Sequence, residues 1–215
     1  MDAIKKEKQR KLTEAEKERL EHFGDVCYDL EHKGYSRTEL VISIVKANVF
    51  AFILLIPVSA VGLGLFFWYN GVETGFDFTL REIIVFTVGL FVLFALHEFI
   101  HGFIWGLFSE HYFADIEFGF MKQYLTPYCT CLEPLRKKPY ILGALMPLIA
   151  LGVLPMAASI FNGSYIMLIT GVIMTDAAAG DIMIAYKILK HKTSSDDVLY
   201  LDHPTMGGVY VFERN

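Results

Sequence analysis

The stretch IIVFTVGLFVLFALHEFIHGFIWGLF, Ile83 to Phe108, decides how the chain is read, because it is apolar throughout except for His97, Glu98 and His101 near its middle. A helix crosses the hydrocarbon of a bilayer with about 20 such residues. Each ionisable group at the centre of a span costs roughly 2.5–3.5 kcal/mol on insertion scales, whereas each Leu, Ile, Val or Phe returns about 0.3–0.6. The apolar side chains of this stretch return roughly 5–10 kcal/mol in sum, so the helix inserts and carries its polar group at a cost.

Three further runs are long enough to span: Ile44 to Trp68, Pro139 to Phe161 and Tyr165 to Leu189. More than half of the 215 residues are apolar, at 54%, a composition that soluble domains seldom show. About 43 mostly polar residues precede the first run, so it is not expected to be a cleavable signal sequence. The expected fold is an all-α membrane protein of four transmembrane helices, with an N-terminal cytoplasmic helix and small β-hairpins in a cytoplasmic loop and in the C-terminal tail. The corresponding segments are 1–43 (charged and helical), 44–190 (the membrane domain) and 191–215 (the tail).

Charge placement gives the orientation. Lys and Arg crowd the segment from Lys5 to Lys46 and recur at Arg136, Lys137, Lys138, Lys187, Lys190 and Lys192, while the loop from Tyr69 to Glu82 sets Arg81 beside Glu73, Asp77 and Glu82. By the positive-inside rule both termini and the central loop are expected in the cytoplasm. The basic cluster Lys5 to Lys11 reads as a solvated face, with contact to anionic lipid head groups as the alternative. Cys27, Cys129 and Cys131 fall on the same side, where thiols stay reduced. Cys129-Thr130-Cys131 lacks the second cysteine pair that a metal site of that kind needs. Beyond the bilayer no nucleic-acid partner is expected.

Local signals fill in the rest. Thr13-Glu14-Ala15-Glu16 is a capping box that opens a helix running toward His32, and Gly34 ends it. Residues 115–131 alternate apolar and polar side chains, as a hairpin does. A second hairpin is expected from Val198–Leu201 and Val209–Phe212 around Pro204, Gly207 and Gly208. Pro147 and Pro155 invite a kink in the third span.

His97 and His101 are four apart, so on a helix both imidazoles lie on one face and reach the same ion. Glu98 beside them is placed to take a proton from a water attacking a carbonyl and to pass it to the leaving amine. With 7 histidines in the chain, chance produces such a pentad in about 1–2 percent of cases, so its position inside a span adds to its weight. A catalytic zinc ion usually has three protein ligands and one open position. Residues Ile104 and Leu107 stand where a longer metal motif would carry Gly and His. Of the remaining acids, Glu117 and Glu133 lie in the cytoplasmic loop, and Asp176 and Asp181 in the fourth span. At about 1.5 Å per residue, Phe99 lies roughly 13–14 Å from the end of its span and Asp181 at nearly the same depth, with Asp176 about 7–8 Å farther. Asp181 is the expected third ligand of Zn²⁺ and Glu98 the expected base, with Asp176 a partner of a ligating histidine or part of a wet cavity lining. His22, His32, His111, His191 and His203 read as solvated, and Tyr124 and Tyr128 as interfacial anchors.

The order of Gly34-Tyr35, a span, His97-Glu98-Phe99-Ile100-His101-Gly102, Phe118-Gly119-Phe120, a Pro147-bearing span and Gly180-Asp181 resembles that of the bacterial family called putative zincin peptidases, small membrane proteins catalogued as a domain of unknown function. The resemblance covers nearly the whole chain, and its specific parts are the pentad and Gly180-Asp181. It implies a zinc metallopeptidase of the bacterial cytoplasmic membrane, related in plan to site-2 proteases, that acts on a peptide or transmembrane protein substrate. Gly180-Asp181-Ile182 stands where site-2 proteases have Leu-Asp-Gly. Two other classes compete with this reading. One is a metal-binding membrane scaffold or accessory subunit without proteolysis; the other is a small transporter with His and Asp along an ion path, against which the lack of an inverted repeat counts.

Overall fold

The computed structural model describes residues 12–71, 79–121 and 126–214. The Lys5 to Lys11 cluster, the loop acids Glu73 and Asp77, and Tyr124 lie outside the described residues. The fold is mostly helical, with two small antiparallel sheets.

Helix α1, Glu14–His32, opens on the capping box: Glu16 N–H donates to the Thr13 hydroxyl at 3.3 Å and Thr13 N–H to the Glu16 carboxylate at 2.8 Å. Gly34, at φ +86, then turns the chain through a region that only glycine adopts freely. The buried residues of α1 form one stripe, Glu16, Arg19, Phe23, Cys27 and Leu30, spaced as one face of a helix.

That stripe rests on a four-stranded sheet, ordered β1-β6-β5-β4 from Tyr35–Val41 (β1), Leu135–Arg136 (β4), Val198–Asp202 (β5) and Gly208–Arg214 (β6). The expected tail hairpin is β5–β6, and two strands not read from the sequence flank it. β1 was missed because Tyr-Ser-Arg-Thr-Glu is largely polar; it borrows its stability from β6, with Tyr35 opposite Arg214 and Val41 opposite Gly208. An all-α class is therefore too narrow. The two central strands, β5 and β6, are covered on both faces: Phe212 and Leu201 meet Phe23, Cys27 and Leu30, while Val209, Val211 and Tyr200 meet Trp105, Tyr140, Ala144 and Ile188 at the helix ends. Period-two alternation thus seats α1 and the membrane helices on opposite sides of one sheet.

Among the described residues three helices are long and apolar enough to cross a membrane: α2, Ile44–Asn70; α3, Leu80–Gly106; and the composite Lys137–Asn162. Phe52, Ile56 and Phe91 stand 75%, 72% and 71% exposed on α2 and α3, which suits a lipid surround and not water. The composite comprises α4, Lys137–Pro147, a wide π-helical turn over Leu148–Val153, and α5, Leu154–Asn162. Pro155 has no N–H to offer the preceding turn, and the extra residue of a π turn accommodates that loss, so the expected kink takes this form.

The fourth apolar run is not one helix. It breaks at Ala178 into α6, Tyr165–Ala177, and α7, Ala179–Lys190, bent by 48°, and counts as a span only if the pair is taken together. The loop hairpin is present as β2, Ile116–Met121, and β3, Thr126–Cys131.

α6 packs against the composite at backbone distance. A Cβ on Gly171 would lie 2.7 Å from the Met156 backbone nitrogen and 2.8 Å from the Gly152 carbonyl oxygen, neither of which can swing aside. Between membrane helices such small-residue contacts replace the hydrophobic drive that lipid removes. Gly171→Val is expected to lower the melting temperature of the detergent-purified protein markedly, since overpacking costs about 1–3 kcal/mol; thermal unfolding checks this.

Candidate metal centre

α3 places His97 and His101 one turn apart, with ring centroids 4.8 Å apart and side chains 5% and 4% exposed. Both face the break in the fourth run. There Asp181 is the third residue of α7, where unpaired helical N–H groups favour an anion. Its Oδ2 lies 3.1 Å from His97 Nε2 and 3.5 Å from His101 Nε2. The potential ligand atoms of His97, His101 and Asp181 all lie within 4.8 Å of one another.

The tautomer of His101 follows from its other nitrogen. Nδ1 is 2.9 Å from the Gly143 carbonyl oxygen, which can only accept, so Nδ1 carries the proton and Nε2 presents a lone pair to the site. Gly143 makes this possible: a Cβ there would sit 2.1 Å from Trp105 Nε1, so any larger residue drives α4 away from α3. Trp105 stacks on His101 at 5.2 Å and donates its indole N–H to the Tyr140 carbonyl. His97 has no such anchor, because its Nδ1 is buried without a hydrogen-bond partner among the described residues. The contact with Asp181 is what orients that ring.

The donor set fits zinc. Two imidazole nitrogens and a carboxylate oxygen bound tetrahedrally at about 2.0–2.1 Å would stand roughly 3.3–3.5 Å apart, close to the two distances from Asp181 to the histidines. Glu98, His101 and Asp181 line a cavity of about 340 Å³ whose walls include β3 residues Thr126 to Thr130, Arg19 of α1 and the turn from His203 to Gly208. The base candidate and two of the ligand candidates therefore open onto one space large enough for a peptide segment.

The other acids go elsewhere. Asp176 lies outside the cluster, with Oδ1 buried and unpartnered among the described residues. Glu117 accepts from Arg19, and Glu133 pairs with His22 at 3.1 Å. The remaining histidines are engaged, and one expectation about them fails: the side chain of His203 is only 6% exposed, its Nδ1 taking the amides of Thr205 and Met206 while Nε2 meets Glu39 at 3.0 Å. Tyr128 is held by Arg19, whose guanidinium donates to its hydroxyl at 2.6 Å and lies 4.9 Å over its ring. Cys129 and Cys131 join no metal-ligating group among the described residues. Burial pushes both thiols up, that of Cys131 to about 12.

Sequence reasoning missed Gly143, Trp105, Tyr140, Arg19 and Asp202. Each acts through a tertiary contact, and no spacing along the chain announces one. The glycine and tryptophan left the faintest trace, Gly143 in the third span and Trp105 one turn after His101.

Residues 90–195, which contain His97, Glu98, His101 and Asp181, match the model of the family described as "Putative zincin peptidase". Searches of curated proteins and of solved structures returned no match.

Two measurements test the site. Asp181→Ala should reduce bound zinc in the purified protein from one equivalent per chain to a small fraction of that, measured by atomic emission. At pH 8 the thiols of Cys129 and Cys131 should resist iodoacetamide until the protein is denatured, because a thiol pushed up to about 12 is almost wholly protonated there and the thiolate is the reactive form.

Proposed function

We propose that the chain, whose residues 90–195 match the family model described as "Putative zincin peptidase", hydrolyses peptide bonds of membrane-associated or transmembrane proteins. The observation that carries this reading is the cluster of His97, His101 and Asp181, of which His101 and Asp181 open with Glu98 onto one peptide-sized cavity. His97, His101 and Asp181 would hold Zn²⁺, which when bound would supply Lewis acidity toward a scissile carbonyl and an attacking water.

The chain's own groups do the rest. The Glu98 carboxylate takes the proton of the attacking water and delivers it to the leaving amine nitrogen. Gly143, through the Nδ1–H of His101, keeps that ring from turning. The cavity reaches from the ends of the membrane helices to the sheet and α1, and Arg136, Lys137, Lys138, Lys187 and Lys190 cluster at those same ends. This charge supports a cytoplasmic location for the sheet, for both termini and for the mouth of the site.

A substrate helix has its backbone groups paired, so it must unwind before its carbonyl is attacked. β3 suits the unwound segment, because it pairs only with β2 and its other edge borders the cavity. Strand addition would satisfy the exposed peptide groups.

Glu98→Gln separates this reading from a metal-binding scaffold. The variant should keep its zinc and lose cleavage by about 10²–10⁴-fold, the usual worth of a general base. Membrane proteomes of cells carrying wild type and Glu98→Gln should differ by fragments present only with the wild type. A zinc-loaded wild type that yields no such fragment would return the protein to the scaffold class.

A further inference from the structure

β3 meets the cavity with an edge of unusual polarity. Along an antiparallel ladder, residues alternately point their N–H and C=O toward the partner strand and away from it. Cys131 lies opposite Ile116, and its N–H leaves β2 to donate to Asp202 Oδ2 at 2.8 Å. By the two-residue period, Cys129 and Pro127 also present their backbone groups to the free edge. Pro127 has no N–H, and Cys129 lines the same cavity as the Glu98 carboxylate. At the two ends of this edge the donor is therefore absent, at Pro127, or taken by a carboxylate, at Cys131, and the carbonyls of Pro127 and Cys129 are left as acceptors on the side of the cavity.

Asp202 is built into this position. Its other oxygen accepts from the Tyr140 hydroxyl, and Oδ2 also lies 3.3 Å from the Thr130 hydroxyl. The carboxylate is thus held from α4 and from two residues of β3, and it lines the same cavity as Glu98, His101 and Asp181. It lies on β5, beyond the stretch that matches the family.

We infer that Asp202 sets the register of the substrate strand: it closes the edge of β3 at Cys131, so that an incoming strand docks its amides on the Pro127 and Cys129 carbonyls and one particular peptide bond comes to rest over Glu98. This rests on the peptidase reading above. Asp202 is a positioning residue and touches no reacting atom. Losing it frees the Cys131 amide as a docking donor and lets the substrate slide. Because side chains alternate across a strand, the favoured slip is two residues.

The test maps the new termini of fragments that wild type, but not Glu98→Gln, releases from the cellular membrane proteome. With D202A, cleavage at the wild-type bond should fall at least tenfold, and termini should move by two residues or spread over several bonds. D202N, whose amide oxygen still accepts from Cys131, should keep the wild-type termini. Hydrogen exchange on the purified full chain should show the Cys131 amide protected in wild type and D202N and exposed in D202A. Where D202A does not accumulate, Tyr140→Phe removes one of the donors that hold the carboxylate, and a mixture of original and shifted termini is expected. Unchanged termini in D202A, or in Tyr140→Phe where that variant stands in, overturn the register role while leaving the peptidase intact. If no fragment distinguishes wild type from Glu98→Gln, the peptidase reading falls and this inference falls with it.

Discussion

A carboxylate set between two imidazoles in an apolar interior is the arrangement on which the rest depends. Asp181, His97 and His101 cannot be left apart there, since each alone would carry an uncompensated desolvation cost. They come from separate helices, α3 and α7, so their meeting constrains both. The break at Ala178 brings Asp181 into the first turn of a helix, where the backbone itself favours a negative charge. Gly143 then lets α4 come close enough for its carbonyl to fix one imidazole. The site is thus a condition on packing as much as a set of ligands.

Much of the membrane part was legible because bilayer length and helical spacing are local properties. The Ile83 to Phe108 run, the (i, i+4) histidines and the equal depth of Asp181 needed only counting, and α3 and the His97–His101–Asp181 cluster lie where that counting put them. The break between α6 and α7 was not legible, since Ala177-Ala178-Ala179-Gly180 continues an apolar run. Hairpins β2–β3 and β5–β6 were marked by alternation and by turn residues. β1 was not, because its partner β6 lies at the other end of the sequence and a polar strand carries no signature of its own.

The cap over the cavity shows the same division. Arg19 donates to Glu117, to Tyr128 and, through Nε, to the Pro204 carbonyl at 3.1 Å, so α1, the β2–β3 hairpin and the tail turn are joined at one guanidinium. A buried arginine with partners on three elements supports shape through its fixed fork of donors. In the sequence it is one cation among many in a charged segment. What distinguishes it is the company it keeps after folding.

The pairing of β1 with β6 also carries a consequence for synthesis. β1 emerges before any membrane helix, yet its partner is made after all of them. The helices that bear His97, Glu98, His101 and Asp181 are therefore made while the sheet is still open, and the wall of the cavity that runs from His203 to Gly208 follows them. A growing chain carries His97, Glu98, His101 and Asp181 before it carries the strand that closes the sheet, so the cavity acquires its wall only once β6 has been made and has paired with β1.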